Sequence, residues 1–266
     1  MTFRRIRILL LLGVLAAVVG FTWLEQSLVR SWRGPLDVAV IPINGDGSAE
    51  AAEAIRALTA RDFAEIGAFL EREVARYGVK HAPAMDVTVL PELKQQPPVP
   101  PRDGSVLKVM GWSLKLRWWV YRQSDEWLPQ PGRIKLFLLY HAPQDGAALE
   151  HSLGLQKGLI GVVHVFADPA QAAQNNIVIA HELLHTLGAS DKYEAGGMPR
   201  YPEGYAEPHL PQSALRREAE IMAGRLVGVR GEPVMPPGLE RCVVGPLTAY
   251  EIGLDAAFKR RFASAD

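Results

Sequence analysis

His181 and His185 stand four residues apart within Ile177–Tyr193, IVIAHELLHTLGASDKY. On a helix that spacing puts two imidazoles on one face, about one turn apart, where they can bind a single zinc ion. Glu182 lies beside them and can polarise a water held by that ion. Ile177, Val178, Leu183, Leu184 and Leu187 supply apolar flanks that would seat such a helix in a core. Two ligands do not complete a catalytic zinc site, which needs a third protein ligand and an open position for water. Gly188 falls three residues past His185, where a helix can end in the left-handed conformation and the chain can turn back. Asp191 follows three residues later with a carboxylate, an acceptable zinc ligand. In the bland alternative both histidines are core residues and Asp191 is a surface cap.

The pattern His181-Glu182-x-x-His185-x-x-Gly188-x-x-Asp191 resembles the active-site signature of the metzincin clan of zinc peptidases. It is similar to the variant with Asp as third ligand, found in the snapalysin-like and immune-inhibitor-A-like families. Asp191-Lys192-Tyr193 also resembles the second of these. The resemblance implies zinc held by His181, His185 and Asp191, and hydrolysis by a zinc-activated water with Glu182 as general base. It further implies a methionine-containing turn beneath the site, matched by Met222 in Glu220-Ile221-Met222-Ala223-Gly224. Gly224 stands where some members of the clan carry a ligating tyrosine. The implied fold is a zincin-like twisted mixed sheet with a backing helix, an active-site helix and an antiparallel edge strand that pairs with extended substrate.

The remaining pattern describes an α/β (α+β) chain. Strands are predicted at Leu36–Ile43, Met85–Leu90, Arg133–Tyr140 and Leu159–Phe166, with a short edge strand at His151–Leu155. A backing helix is expected from about Ser48 to Tyr77, with Ile55, Leu58, Ile66, Leu70 and Val74 at helical spacing. A second is expected across Val106–Tyr121. Lys94–Gly104 carries QQPPVPP and cannot be a helix interior. Asp168 and Pro169 read as N-cap and first residue of the helix bearing His181. A last amphipathic helix is expected over Thr248–Phe262, with Tyr250, Leu254, Ala257 and Phe258 inward.

Other histidines and acids offer weaker candidates. His164 reads as a core histidine in a strand, His151 as a residue of the cleft wall, and His141 and His81 as loop residues. Glu194, Glu203, Glu207 and His209 lie in the loop after Asp191. Glu194 and His209 are the substitutes if Asp191 is not the third ligand. Cys242, the one cysteine, excludes an intrachain disulfide and reads as a small buried residue. Trp112, Trp118, Trp119 and Trp127 read as packing residues or as an aromatic patch facing a membrane.

The chain has 266 residues, 48% hydrophobic, enough for one well-packed domain, and its 29 basic and 29 acidic residues balance. No global field favours nucleic acid as a partner. Residues 1–33 differ from the rest. Arg4, Arg5 and Arg7 precede an apolar run over residues 8–24, and Arg30 and Arg33 follow it. Roughly 17 helical residues span about 25 Å, close to a hydrocarbon core of about 30 Å. An uncleaved anchor with a cytoplasmic N-terminus is expected, leaving residues 34–266 as a periplasmic or extracellular zinc peptidase domain. A cleaved signal is the alternative for this segment, Val18-Val19-Gly20 being a weak cleavage site. The peptidase would act on a peptide or protein substrate. Competing functions are a zinc-binding recognition module without catalysis and a non-peptidic zinc hydrolase or amidase acting on cell-wall material.

Overall fold

The computed structural model describes residues 3–79, 84–101, 105–123, 130–143, 152–156, 158–211, 217–228 and 230–255. His81, Trp127, His151, Ala257, Phe258 and Phe262 lie outside them. Five strands form one mixed sheet: β1 (Leu36–Asn44), β2 (Met85–Val89), β3 (Ile134–His141), β4 (Leu153–Leu155) and β5 (Ile160–Phe166). Their spatial order is β2-β1-β3-β5-β4. The first four in that order are parallel, with Val38 opposite Ile134 and Lys135 opposite Ile160. β4 runs antiparallel to β5 and forms the edge.

Six α-helices accompany the sheet among the described residues: α1 (Phe3–Val29), α2 (Ala49–Ala57), α3 (Ala64–Arg76), α4 (Val106–Arg122), α5 (Ala172–Leu187) and α6 (Pro246–Glu251). Topology decides which face each one covers. The chain steps from β1 to β2 in one direction, then back across β1 to β3. Right-handed crossovers taken in opposite directions put their helices on opposite faces. One face of the sheet, including Val38, Val40, Leu136, Leu138, Val163 and Val165, packs on α2, α3 and α5. The other, including Ala39, Ile41, Phe137, Leu139 and Val162, packs on Trp112, Leu116 and Val120 of α4. Burial on both faces explains why the parallel strands read as unbroken apolar runs.

Two expected helices differ from their patterns. The helix expected from Ser48 to Tyr77 is interrupted at Leu58, whose backbone is extended. The Asp62 carboxylate accepts the Thr59 amide at 2.7 Å and its hydroxyl at 2.9 Å, starting a new helical turn that leads into α3. The last helix stops at Glu251, where the Leu254 amide donates to the Ala249 carbonyl at 2.8 Å and closes a turn. Leu254 lies beyond that end, and the remainder of the expected span is not among the described residues.

α1 is long and apolar enough to cross a membrane, and its apolar side chains are exposed along Ile8–Leu24. Its final turn joins the domain: Glu25, Val29 and the following Trp32 are buried. The Trp32 indole donates to the Ile252 carbonyl at 2.8 Å.

Candidate metal centre

Asp168 caps a 3-10 turn over Pro169–Gln171 that runs directly into α5 at Ala172, its carboxylate accepting the Ala170 amide at 2.9 Å, so the expected cap starts this turn and not the α-helix itself. Its inner face, including Ile177, Ala180, Leu184 and Leu187, is buried against the sheet. Asn176 reaches Glu65 on α3 at 2.8 Å, fixing the helix laterally. Gly188 ends it at φ 108°, a backbone conformation that side chains disfavour.

The chain then returns over the helix. Asp191 Oδ1 lies 3.2 Å from His181 Nε2 and 3.1 Å from His185 Nε2, and the two Nε2 atoms are 3.0 Å apart. Ligand atoms of His181, Glu182 and His185 also lie within 4.8 Å of one another. Tetrahedral nitrogen ligands at about 2.0–2.1 Å from zinc stand roughly 3.3 Å apart, so the Nε2–Nε2–Oδ1 triangle is close to that size. Two imidazoles and one carboxylate are a donor set suited to zinc.

Both rings are oriented by backbone carbonyls. His181 Nδ1 is 3.0 Å from Ile221 O, and His185 Nδ1 is 2.8 Å from Ala189 O. A carbonyl can only accept, so each Nδ1 carries a proton; a neutral ring then presents its Nε2 lone pair to the shared point, and a protonated ring donates from Nε2 to Asp191.

Ile221 belongs to the turn expected to contain Met222. Residues 221–223 form a turn whose Met222 side chain is fully buried. Glu220 holds that turn from within. Its Oε2 accepts the Met222 amide at 2.7 Å and the Ala223 amide at 3.0 Å. Its Oε1 accepts the Thr248 hydroxyl at 2.7 Å and the Gly245 amide at 3.1 Å. Burial raises the Glu220 pKa against these donors.

Glu182 is buried beside the histidines, and its Oε2 has no hydrogen-bond partner among the described residues. Burial lifts its pKa above the usual glutamate value, while both histidines and the Gly154 amide pull it down. A buried carboxylate with an unused oxygen is suited to receiving a proton. Burial acts upward on Asp191 too, but hydrogen bonds to both histidines hold its pKa well below the carboxylate range. Burial disfavours charge on His181, yet Asp191, Glu182 and the Ile221 carbonyl outweigh it and raise its pKa.

The site opens into a cleft of about 970 Å3, lined by His164, His181, Glu182, Asp191, Tyr193 and Met235 among others. The Tyr193 ring stacks on His181 at 6.4 Å between centroids, and burial together with the nearby Asp191 carboxylate raises the pKa of its hydroxyl. β4 forms one wall. A Cβ at Gly154 would collide with His185 Cβ and Glu182 O, so only glycine lets this edge strand lie so near α5.

The other candidates fall elsewhere. His141 is the last residue of β3 rather than part of a loop, because its backbone continues the ladder opposite Phe166. Its ring lies 2.9 Å from His164, which is half-buried on the cleft wall. Glu194 lines the cleft, whereas Glu203, Glu207 and His209 do not. Cys242 is fully buried, and burial pushes its thiol up to about 12.

Sequence reasoning missed Gly154, Lys192, Glu220 and Glu251 as site-forming residues. Lys192 is completely buried between Ser190 and Glu251. Neither its spacing nor its type signals that, because Glu251 lies 59 positions away. No family model matches the sequence, and no curated protein matches it.

Proposed function

We propose that this protein is a zinc peptidase of the metzincin type, anchored in a membrane by α1 with its catalytic domain outside the cytoplasm. The reading is carried by the convergence of His181 Nε2, His185 Nε2 and Asp191 Oδ1 within 3.0–3.2 Å of one another, with Glu182 buried alongside. Gly188, the turn around Met222 and the antiparallel edge strand β4 stand where the metzincin resemblance expects them, which supports the same reading.

Zinc at this point would supply Lewis acidity and make a bound water acidic near neutral pH. The protein's own groups supply the rest. Glu182 receives the proton from the attacking water and passes it to the leaving amine. The Ile221 and Ala189 carbonyls keep the imidazoles in the tautomer that ligation requires. An extended peptide laid along β4 would run past Glu182 and present its carbonyl to the cleft.

The experiment compares full-length protein with the Glu182→Gln variant for zinc content and peptide hydrolysis. The expected result is equal zinc and a loss of turnover of about 100-fold or more. Equal hydrolysis by the two would reject the reading. Zinc binding with no hydrolysis of peptides by either would favour a recognition module instead.

A further inference from the structure

α4 carries two apolar faces, and the fold uses only one. Trp112, Leu116 and Val120, four apart, are buried against the sheet. Leu107, Met110, Leu114, Trp118 and Tyr121 recur at three- and four-residue spacing on the opposite side and are 58–79% exposed. Leu114 is two residues from both Trp112 and Leu116, about 200° around the helix. Trp118 and Tyr121 stack at 5.7 Å, forming an exposed aromatic pair within the stripe.

Charge marks out what covers this face. α4 contains Lys108, Lys115, Arg117 and Arg122 and no acidic residue, in a chain whose formal net charge is zero. Lys108, Lys115 and Arg122 recur every seven residues along one flank of the stripe. A helix with Trp, Leu and Met on one side and bases beside them has the composition of an element that lies in a lipid headgroup layer. Soluble surfaces rarely expose so continuous an apolar stripe.

Position agrees with composition. Glu25, in the last turns of α1, interacts electrostatically with Arg117 of α4 and with Lys135 of β3. Trp23, two residues earlier, is 70% exposed at the end of the apolar run, as expected of an interfacial aromatic. The Arg117 charge on α4 therefore lies near enough to the end of α1 to act on Glu25.

We propose that the outer face of α4 rests in the headgroup layer of an anionic phospholipid membrane, the same membrane that α1 crosses. Leu107, Leu114 and Trp118 enter the boundary between headgroups and acyl chains, and Lys108, Lys115 and Arg122 meet lipid phosphates. Two attachments, one spanning and one lying flat, orient the domain instead of leaving it to swing on a tether. The proposal rests on α1 as the anchor, so the test reads the two elements separately.

Full-length protein carrying Leu114→Cys or Val14→Cys is labelled with an environment-sensitive fluorophore. Both positions are exposed, whereas native Cys242 is fully buried and does not compete for the reagent. Each is reconstituted into vesicles of phosphatidylcholine with phosphatidylglycerol, and of phosphatidylcholine alone. Lipid-borne nitroxides placed at shallow and deep positions serve as quenchers. In anionic vesicles the label at 114 should shift to the blue and be quenched by the shallow nitroxide, and the label at 14 by the deep one. Lys108→Glu, Lys115→Glu and Arg122→Glu together should remove most of the shift at 114 without changing the signal at 14. Deep quenching at 14 with a water-exposed label at 114 overturns the proposal and leaves the anchor standing. Quenching at 114 without quenching at 14 supports α4 as a membrane contact and overturns the anchor. Equal quenching at 114 in both lipid mixtures overturns the requirement for anionic lipid. Shielding of the label at 114 from aqueous quencher without lipid quenching would place a second copy on this face and overturn the proposal.

Discussion

Lys192 Nζ lies 2.7 Å from Glu251 Oε2, joining the loop that carries Asp191 to the short helix α6. The same ammonium donates to the Ser190 carbonyl and hydroxyl at 2.8 and 2.7 Å, so all three of its protons are used. The Lys192 amide donates to the Met222 carbonyl at 3.0 Å. One residue therefore ties together the returning loop, the turn beneath the histidines and the C-terminal region. Removing its charge leaves the Glu251 carboxylate without its cation. Lys192→Met should destabilise the fold by about 3 kcal/mol, the low end for a broken buried pair because Glu251 still meets water. It should also weaken metal binding, and thermal unfolding with and without zinc measures both. Unchanged zinc affinity would show that the Asp191 loop holds its place without this tie.

Asp191 supplies the one oxygen in the triangle formed with the two imidazoles. Asp191→Ala should lower zinc affinity by more than the roughly 10- to 100-fold seen when residues behind a ligand are changed. Chelator competition measures it. Affinity equal to that of the parent would move the third ligand elsewhere, with Glu194 on the cleft wall tested next.

Glu220 accepts four hydrogen bonds through two buried oxygens. Glutamine offers one acceptor and one donor, so two buried donors would face an NH2 group. Glu220→Gln should cost about 2 kcal/mol or more, read by denaturant unfolding. It should loosen the Ile221 carbonyl and broaden the ring resonances of His181. A stability matching the parent would mean that water replaces the lost acceptor.

Gly154→Ala introduces a methyl group against His185 and the Glu182 carbonyl. The strain should cost about 1–3 kcal/mol and push β4 away from α5. Zinc affinity should fall with it, because His185 moves. Retained stability and affinity would mean that the edge strand gives way freely and does not fix the cleft.

The sequence by itself determined the helix, its end and the spacing of its chemistry. Asp168, Pro169 and Gly188 act through neighbours in the chain, so the turn leading into α5 and the end of α5 follow from residue type, and four-residue spacing alone aligns His181 with His185. The parallel strands were legible for the same local reason, as apolar runs between turn residues. The break at Leu58 was not, because the apolar spacing continues through it while Asp62 captures the Thr59 backbone. Tertiary structure decided what local rules cannot reach. Asp191 meets the imidazoles in a loop tied down through Lys192 to the distant Glu251, and the rings are oriented by the carbonyls of Ile221 and Ala189. Glu220 finds its donors up to 28 positions further on. Whether a lysine is a solvated surface charge or a buried tie depends on which distant carboxylate the fold brings to it, and spacing along the chain carries no record of that.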